Sequence, residues 1–276
     1  MDRLPQNFKF YKPCDALQPF VRYHWAFQSK QVLNALTFPI GCPQIIFHRK
    51  TPLYIPELKA SQPRLTISGQ VNYPAHLYSN GDTEMIVTVF QPHALKVFLP
   101  IPLSALHNQE IAGYDLNLPK LNELAARVLE CADTSLCICM IEEWLLSQMA
   151  ETYHSKKEYD FKRMTAAIQQ ILNHPETPVA RLASITCLSS KQFERLFNDN
   201  VGANPKEYAR IVRFQKSLGI LQNSPKGISH AQLADLCGYA DQSHFIREFK
   251  QFSGHTPRSL LDSHAPYSDL FTNPVG

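Results

Sequence analysis

The C-terminal part of this chain carries one pattern twice, and that duplication constrains the fold more than any other feature. Residues 182–208 read LASITCLSSKQFERLFNDNVGANPKEY, and residues 233–260 read LADLCGYADQSHFIREFKQFSGHTPRSL. Phe193, Arg195, Phe197, Gly202 and Pro205 return 52 residues later as Phe245, Arg247, Phe249, Gly254 and Pro257. Upstream, Leu182-Ala183 and Leu233-Ala234 are 51 residues apart, so one copy has a turn longer by a single residue. A repeated short helix, tight turn and second helix is the pattern of paired helix-turn-helix units.

Local signals place the helices. Phe161, Met164, Ile168 and either Ile171 or Leu172 share one face of a helix over 161–172, which His174-Pro175 ends because a residue before proline avoids the helical region. Pro178 suits the first turn of a short helix bearing Val179, Leu182, Ala183 and Ile185. Ser189 or Ser190 caps a third helix to Asn200, with Phe193, Leu196 and Phe197 inward and Lys191, Gln192, Glu194, Arg195 and Asn198 outward. Pro205 opens a long helix to about Leu221 that joins the two units. In the second unit 229–237 is the short helix, Gly238 the turn, and Asp241 the cap of a helix ending near Phe252. Its outward candidates are Gln242, Ser243, His244, Ile246, Arg247 and Lys250.

A major groove about 12 Å wide accepts one helix, whose N-terminal side chains reach base edges while amides and hydroxyls there bind phosphate. Polar residues sit at that end in both copies. Residues 160–262 resemble the DNA-binding domain of the AraC/XylS family of bacterial transcription regulators, most closely in LADLCGYADQSHFIREFKQFSGHTPRSL and also in LSSKQFERLFNDNVGANPKEYARIVRF. Departures are mild: Tyr239 and Ala240 stand where Phe and Ser are common, and Cys187 replaces a frequent glycine. By position, the resemblance implies base-facing roles for Lys191, Glu194 and Arg195 in the first recognition helix and for Gln242, Ser243, Ile246 and Arg247 in the second. Phosphate binding, or pairing with a nearby acid, is the alternative role for Arg195 and Arg247.

The N-terminal half changes to an extended pattern. Residues 44–48 (QIIFH), 65–68 and 84–90 (EMIVTVF) read as strands, and Asn80-Gly81 is the strongest hairpin signal. Helical spacing returns over 118–153; a helix over 135–149, striped with Leu, Ile, Met and Trp, is a candidate dimer surface or else packs on its own sheet. The polar stretch 150–160 reads as a linker. YKPCDALQPFVRYHW and VTVFQPHALKVFLPIPLSAL resemble recurring segments of one group of AraC-type N-terminal domains. The expected fold is thus α+β: a β-rich, cupin-like N-terminal sensing or oligomerising domain ending in helices (1–155), an all-α domain of two helix-turn-helix units (156–264), and a tail (265–276).

Composition narrows the alternatives. From residue 156 onward there are 15 Lys/Arg against 11 Asp/Glu, and before it 12 against 13, so the excess of positive charge lies with the repeats. The longest apolar runs are too short for a bilayer and the first residues show no secretory signal, which predicts a cytoplasmic protein with no membrane partner. Seven cysteines without CxxC read as free thiols. Histidines 24, 48, 76 and 93 show no HxH pair, so no metal and no cofactor are expected. Tyr23, His24, Trp25, Phe38, His48, Tyr73, His76 and His93 are candidates to line an apolar pocket instead. A zinc-dependent DNA-repair reading lacks its cysteine cluster, and no catalytic arrangement is visible. The expected partners are double-stranded DNA, a small-molecule effector, a second copy of the chain and RNA polymerase. The competing reading is a non-catalytic ligand-binding or protein-interaction module without specific DNA readout.

Overall fold

The computed structural model describes residues 8–152, 155–223 and 228–262. The N-terminal part is built on two antiparallel sheets. Its strands are β1 (Phe8–Tyr11), β2 (Val21–Ser29), β3 (Leu33–Thr37), β4 (Gln44–His48), β5 (Tyr54–Ile55), β6 (Ala60–Ser61), β7 (Leu65–Ser68), β8 (Ala75–Ser79), β9 (Thr83–Phe90) and β10 (Glu110–Ala112). The larger sheet runs β1-β2-β9-β4-β7-β10 and the smaller β3-β8-β5-β6.

Strand alternation divides the side chains of the larger sheet between two cores. Ile45, Phe47, Leu65, Ile67 and Ile86 face a helical layer, whereas Trp25, Phe27, Ile46, Met85 and Val87 face the smaller sheet. β9 is buried along nearly its whole length, as its unbroken apolar run requires of a central strand covered on both faces. The helical layer comprises α1 (Leu95–Phe98), α2 (Pro119–Glu130) and α3 (Thr134–Thr152).

The strands at 44–48 and 65–68 fall as expected, but Asn80-Gly81 makes no hairpin. β8 pairs with β3 and β5, while β9 pairs with β2 and β4, so the turn carries the chain from one sheet to the other. Positive φ falls on Gly81 and Asp82, not on Asn80. Both hydrogen-bonding edges of β9 are occupied, by β2 and β4, which leaves β8 no edge to join.

The C-terminal part is all-helical: α4 (Ser155–Asn173), α5 (Val179–Ile185), α6 (Ser190–Val201), α7 (Pro205–Asn223), α8 (His230–Leu236), α9 (Gln242–Ser253) and α10 (Pro257–Asp262). The polar stretch expected as a linker is helical on either side of residues 153–154, which lie outside the described residues, as does the tail 265–276. α4 serves two cores at once. Phe161 packs with the N-terminal helices, and Met164, Ala167, Ile168 and Ile171 pack with the first repeat.

The stripe of α3 also goes inward. Cys137, Ile138, Met140, Ile141, Trp144 and Leu145 are buried against the sheet of the same chain, leaving Leu136 and Cys139 exposed. Packing on its own domain therefore consumes the face that could have served a dimer.

The two halves meet over a continuous seam. Phe38, just after β3, joins the core of the second repeat with its ring edge-on to Phe214, 6.0 Å between centroids. Gln215 donates to the Pro39 carbonyl at 2.5 Å, Asn72 donates to Glu207, and His107 lies 3.5 Å from the same carboxylate. At the first repeat, Lys96 of α1 is 3.4 Å from Asp199 of α6. His93 contacts Thr165 at 2.9 Å and stacks on Phe161. Burial in that seam pulls the His93 imidazole down to about 3, so the ring is neutral at ordinary pH.

Candidate nucleic-acid interface

Each repeat builds the same object. α5 packs across α6, and α8 across α9. Four residues separate the first pair of helices and five the second, which is the one-residue difference in the sequence offsets. The turn in both needs one left-handed residue: Gly238 at φ +74° in the second, and Cys187 at φ +55° in the first. A side chain there costs about 1–2 kcal/mol, so the departure at Cys187 is tolerated strain.

The caps differ between the copies. Ser189 starts α6 with a reciprocal capping box, its hydroxyl accepting from the Gln192 amide while the Gln192 side chain accepts from the Ser189 amide. Gln192, expected outward, is thus folded back on its own helix. In the second repeat the capping box sits on α8, between Ser229 and Gln232. α9 is instead capped by Asp241, whose carboxylate accepts from the His244 amide at 2.7 Å. That hydrogen bond holds the Asp241 carboxyl below its ordinary range.

Phe193 and Phe197 of α6, and Phe245, Phe249 and Phe252 of α9, are fully buried. Lys191, Glu194 and Arg195 on α6, and Gln242, Ser243 and Arg247 on α9, are exposed on the opposite side. Ile246 is half-buried and leans on the core of its repeat. Among the described residues no carboxylate lies within ion-pair distance of Lys191, Arg195 or Arg247. The far end of α6 is the part held by the N-terminal half: Gly202, its last cap, lies against the Leu103 backbone.

One element of this site escaped the sequence reading. Glu248 points inward with the phenylalanines and is only 3% exposed. It accepts from Arg210 at 2.7 Å and from Arg213 at 3.1 Å, both on α7, with His244 at 3.6 Å. A buried carboxylate needs such compensation. The ion pair fixes the recognition helix of the second repeat to the helix that joins the repeats. A charged residue at a core-facing position of an amphipathic helix, three after Phe245 and one before Phe249, was the available signal.

The histidines are dispersed. His24 contacts Thr88 at 2.9 Å and lies 3.4 Å from Glu142, on the helical side of the sheet. His76 is exposed against Glu57, 2.6 Å away. His48 is enclosed, and burial brings its ring down to about 4. Trp25, Phe38 and Tyr73 do line one cavity, between the two sheets.

Comparison with known proteins agrees with this geometry. A helix-turn-helix domain family matches residues 182–263, covering both repeats. Residues 182–263 belong to that helix-turn-helix domain family. A second family, described as a domain of unknown function (DUF6597), matches residues 9–112, the sheets ahead of the helix-turn-helix domain. The probable transcriptional regulator LumQ of Photobacterium leiognathi is 29% identical over 138 residues, 49% of this chain and 55% of that protein. The transcriptional activator RhaS of Escherichia fergusonii is 29% identical over 79 residues, 29% of this chain and 28% of that protein. The matches thus span about half, or less, of the length of these relatives. Among solved structures, ToxT of Vibrio cholerae O395 aligns with 94% of this chain and 98% of its own, at a TM-score of 0.44 and 11% identity. The DNA-binding domain of AdpA, in complex with a target DNA, aligns with 35% of this chain and 87% of its own, at a TM-score of 0.33 and 21% identity. Among the described residues, no helix is long and apolar enough to cross a membrane.

Proposed function

We propose that this chain is a sequence-specific DNA-binding transcription regulator in which α6 and α9 enter successive major-groove segments of one duplex. The observation that carries the reading is the equivalence of the two repeats. Each presents an exposed polar row at the N-terminal half of its second helix, opposite a buried phenylalanine row, with its basic side chains unspent. Lys191, Glu194, Arg195, Gln242, Ser243, Ile246 and Arg247 are the residues assigned to that surface. Arg and Gln supply the bidentate geometry that guanine and adenine edges accept, and Ile246 suits a thymine methyl. Glu194 accepts from a cytosine amino group or else repels phosphate.

In this reading residues 1–155 sense or oligomerise, 156–264 read DNA, and the remaining residues form a tail. The seam supplies the physical link between the first two, since Phe38 is part of the core of the second repeat and Leu103 supports the end of α6. A change in the N-terminal half that alters this seam changes the relative placement of α6 and α9, and with it the spacing of the two contacts. That is regulation by a shift between arrangements of different DNA affinity. A small-molecule effector, a homodimer and contact with RNA polymerase belong to the same proposal, and no catalytic step does.

The test is selection of duplexes from a random pool by the full chain at near-physiological salt. One motif with two blocks about a helical turn apart is the expected product. Binding that enriches no sequence and vanishes as salt rises would leave only phosphate attraction and overturn the reading.

A further inference from the structure

The cavity between the two sheets has a volume of about 90 Å³ and two chemically distinct ends. Trp25, Ile46, Leu53, Met85 and Val87 give it an apolar wall. Gln62, Gln70 and Glu110 form the polar end.

The polar end is specified by what its groups already do. Gln62 donates to both Glu110 carboxylate oxygens, at 3.0 and 2.9 Å, and Gln70 donates to the Gly41 carbonyl at 2.9 Å. Carboxylate and carbonyl only accept, so each amide is held with its nitrogen on that partner and its oxygen turned away. Gln70 Oε1 is buried without a hydrogen-bond partner among the described residues, on a side chain 1% exposed, whereas the Gln62 oxygen has the buried His48 ring beside it. Among those residues no cation lies within ion-pair distance of Glu110. Burial raises its carboxyl pKa, the direction expected of a carboxylate lacking a countercharge. Tyr73, beside it, feels Glu110 and then Glu57, so a second carboxylate adds to the negative field at this side. Glu110, which Gln62 and Ser68 already serve, and Gln70 Oε1 thus offer acceptors at this end. Buried acceptors left open cost stability until a donor arrives.

We propose that this cavity binds a small organic amine, its N–H groups donated to Glu110 and Gln70 Oε1 and its short apolar body laid against Trp25, Ile46 and Val87. A cavity of this size holds about four non-hydrogen atoms, judged against the roughly 150 Å³ that admits benzene, so a five-atom amine tests its upper limit. The same walls reach the DNA-reading half. Gly41 and Phe38 line the cavity. A Cβ at Gly41 would stand 3.3 Å from the Tyr208 ring and 3.4 Å from Ile211, and its φ of +70° suits only glycine. Gln70 thus spans from the ligand space to the Gly41 carbonyl, and Gly41 lies directly on α7. The regulatory consequence rests on the function proposed above; the binding site does not.

The test uses the full chain carrying Trp144→Phe, which leaves Trp25 as its one tryptophan. Its fluorescence is titrated with isobutylamine, isobutanol and isobutyrate, three probes of one shape with cationic, neutral and anionic heads. Isobutylamine should saturate at a concentration at least tenfold below isobutyrate. Glu110→Gln should weaken the amine at least tenfold and bring it level with the alcohol. The melting temperature of the unsubstituted chain should rise with isobutylamine and not with isobutyrate, which guards against damage from the tryptophan change. Equal responses to the three probes, or an amine response indifferent to Glu110→Gln, overturn the site. No DNA enters these measurements, so their failure leaves the duplex selection untouched, and the reverse holds. With a selected duplex, isobutylamine should change its affinity at least threefold; an unchanged affinity overturns the coupling through Gly41.

Discussion

Glu248 is the carboxylate on which the second repeat turns, and its removal can be worked through from the structure. Glu248→Gln keeps the volume but removes the charge that Arg210 and Arg213 share. Removing one partner of a buried ion pair costs about 3–5 kcal/mol because the other charge is left uncompensated. Arg210 is 36% exposed and turns to water, so its share falls toward the 0–1 kcal/mol of a surface pair. Arg213, 13% exposed, carries most of the penalty. The expected loss is about 2–4 kcal/mol. Urea unfolding followed by circular dichroism reads it as a lower midpoint at constant slope. Glu248→Leu combined with Arg213→Met should recover much of that stability, since well-packed apolar residues replace a buried pair at little cost. The recovered variant should still bind DNA less selectively, because the tie between α7 and α9 has gone. A Glu248→Gln chain within about 0.5 kcal/mol of the parent, the range of ordinary surface substitutions, would refute the reasoning.

Other outcomes follow from single contacts. Cys187→Gly should raise stability by about 0.5–1 kcal/mol by relieving a left-handed cysteine, against the entropy a glycine adds to the unfolded chain, and thermal melting checks the sign. Phe38→Ala should cost about 3–5 kcal/mol by emptying a place in the core of the second repeat, so proteolysis should attack 228–262 first. His93 is held neutral near 3, against about 6.5 when unfolded, so the unfolded chain binds the extra proton between those values. Stability is therefore complete above about pH 6.5 and declines as pH falls toward 3; His93→Gln should flatten that decline by about one proton in urea midpoints measured across pH.

The parts of the molecule legible in the sequence are those fixed by short-range chemistry. Ser189, Asp241, Gly202 and Gly254 mark helix ends because a cap satisfies amides within one turn, and the paired phenylalanines mark inward faces because their spacing matches the helix. The strands at 44–48 and 65–68 were legible through β-branched content. Asn80-Gly81 misled because a turn signal specifies a reversal, not which strand lies beyond it; β9 was already flanked by β2 and β4. Segment 150–160 looked like a linker since polar residues suit both an exposed helix and a loop. The seam could not be read at all. Phe38 and Gln215 stand far apart in the chain, and neither carries a pattern that names its partner. On α6, spacing showed which side faces outward, but it did not show that Gln192, on that side, folds back into a capping bond with its own helix.

The central claim is that α6 and α9 each read bases, and base preference measured residue by residue tests it most directly. Duplex selection would be repeated with Arg195→Ala and with Arg247→Ala, beside the parent chain at the same salt. The account predicts that each substitution costs roughly 1–3 kcal/mol on the parent motif and relaxes preference at one position, in a different block for each variant. A uniform loss across all sequences, with a shallower dependence on salt and an unchanged motif, would make both arginines phosphate clamps and contradict it.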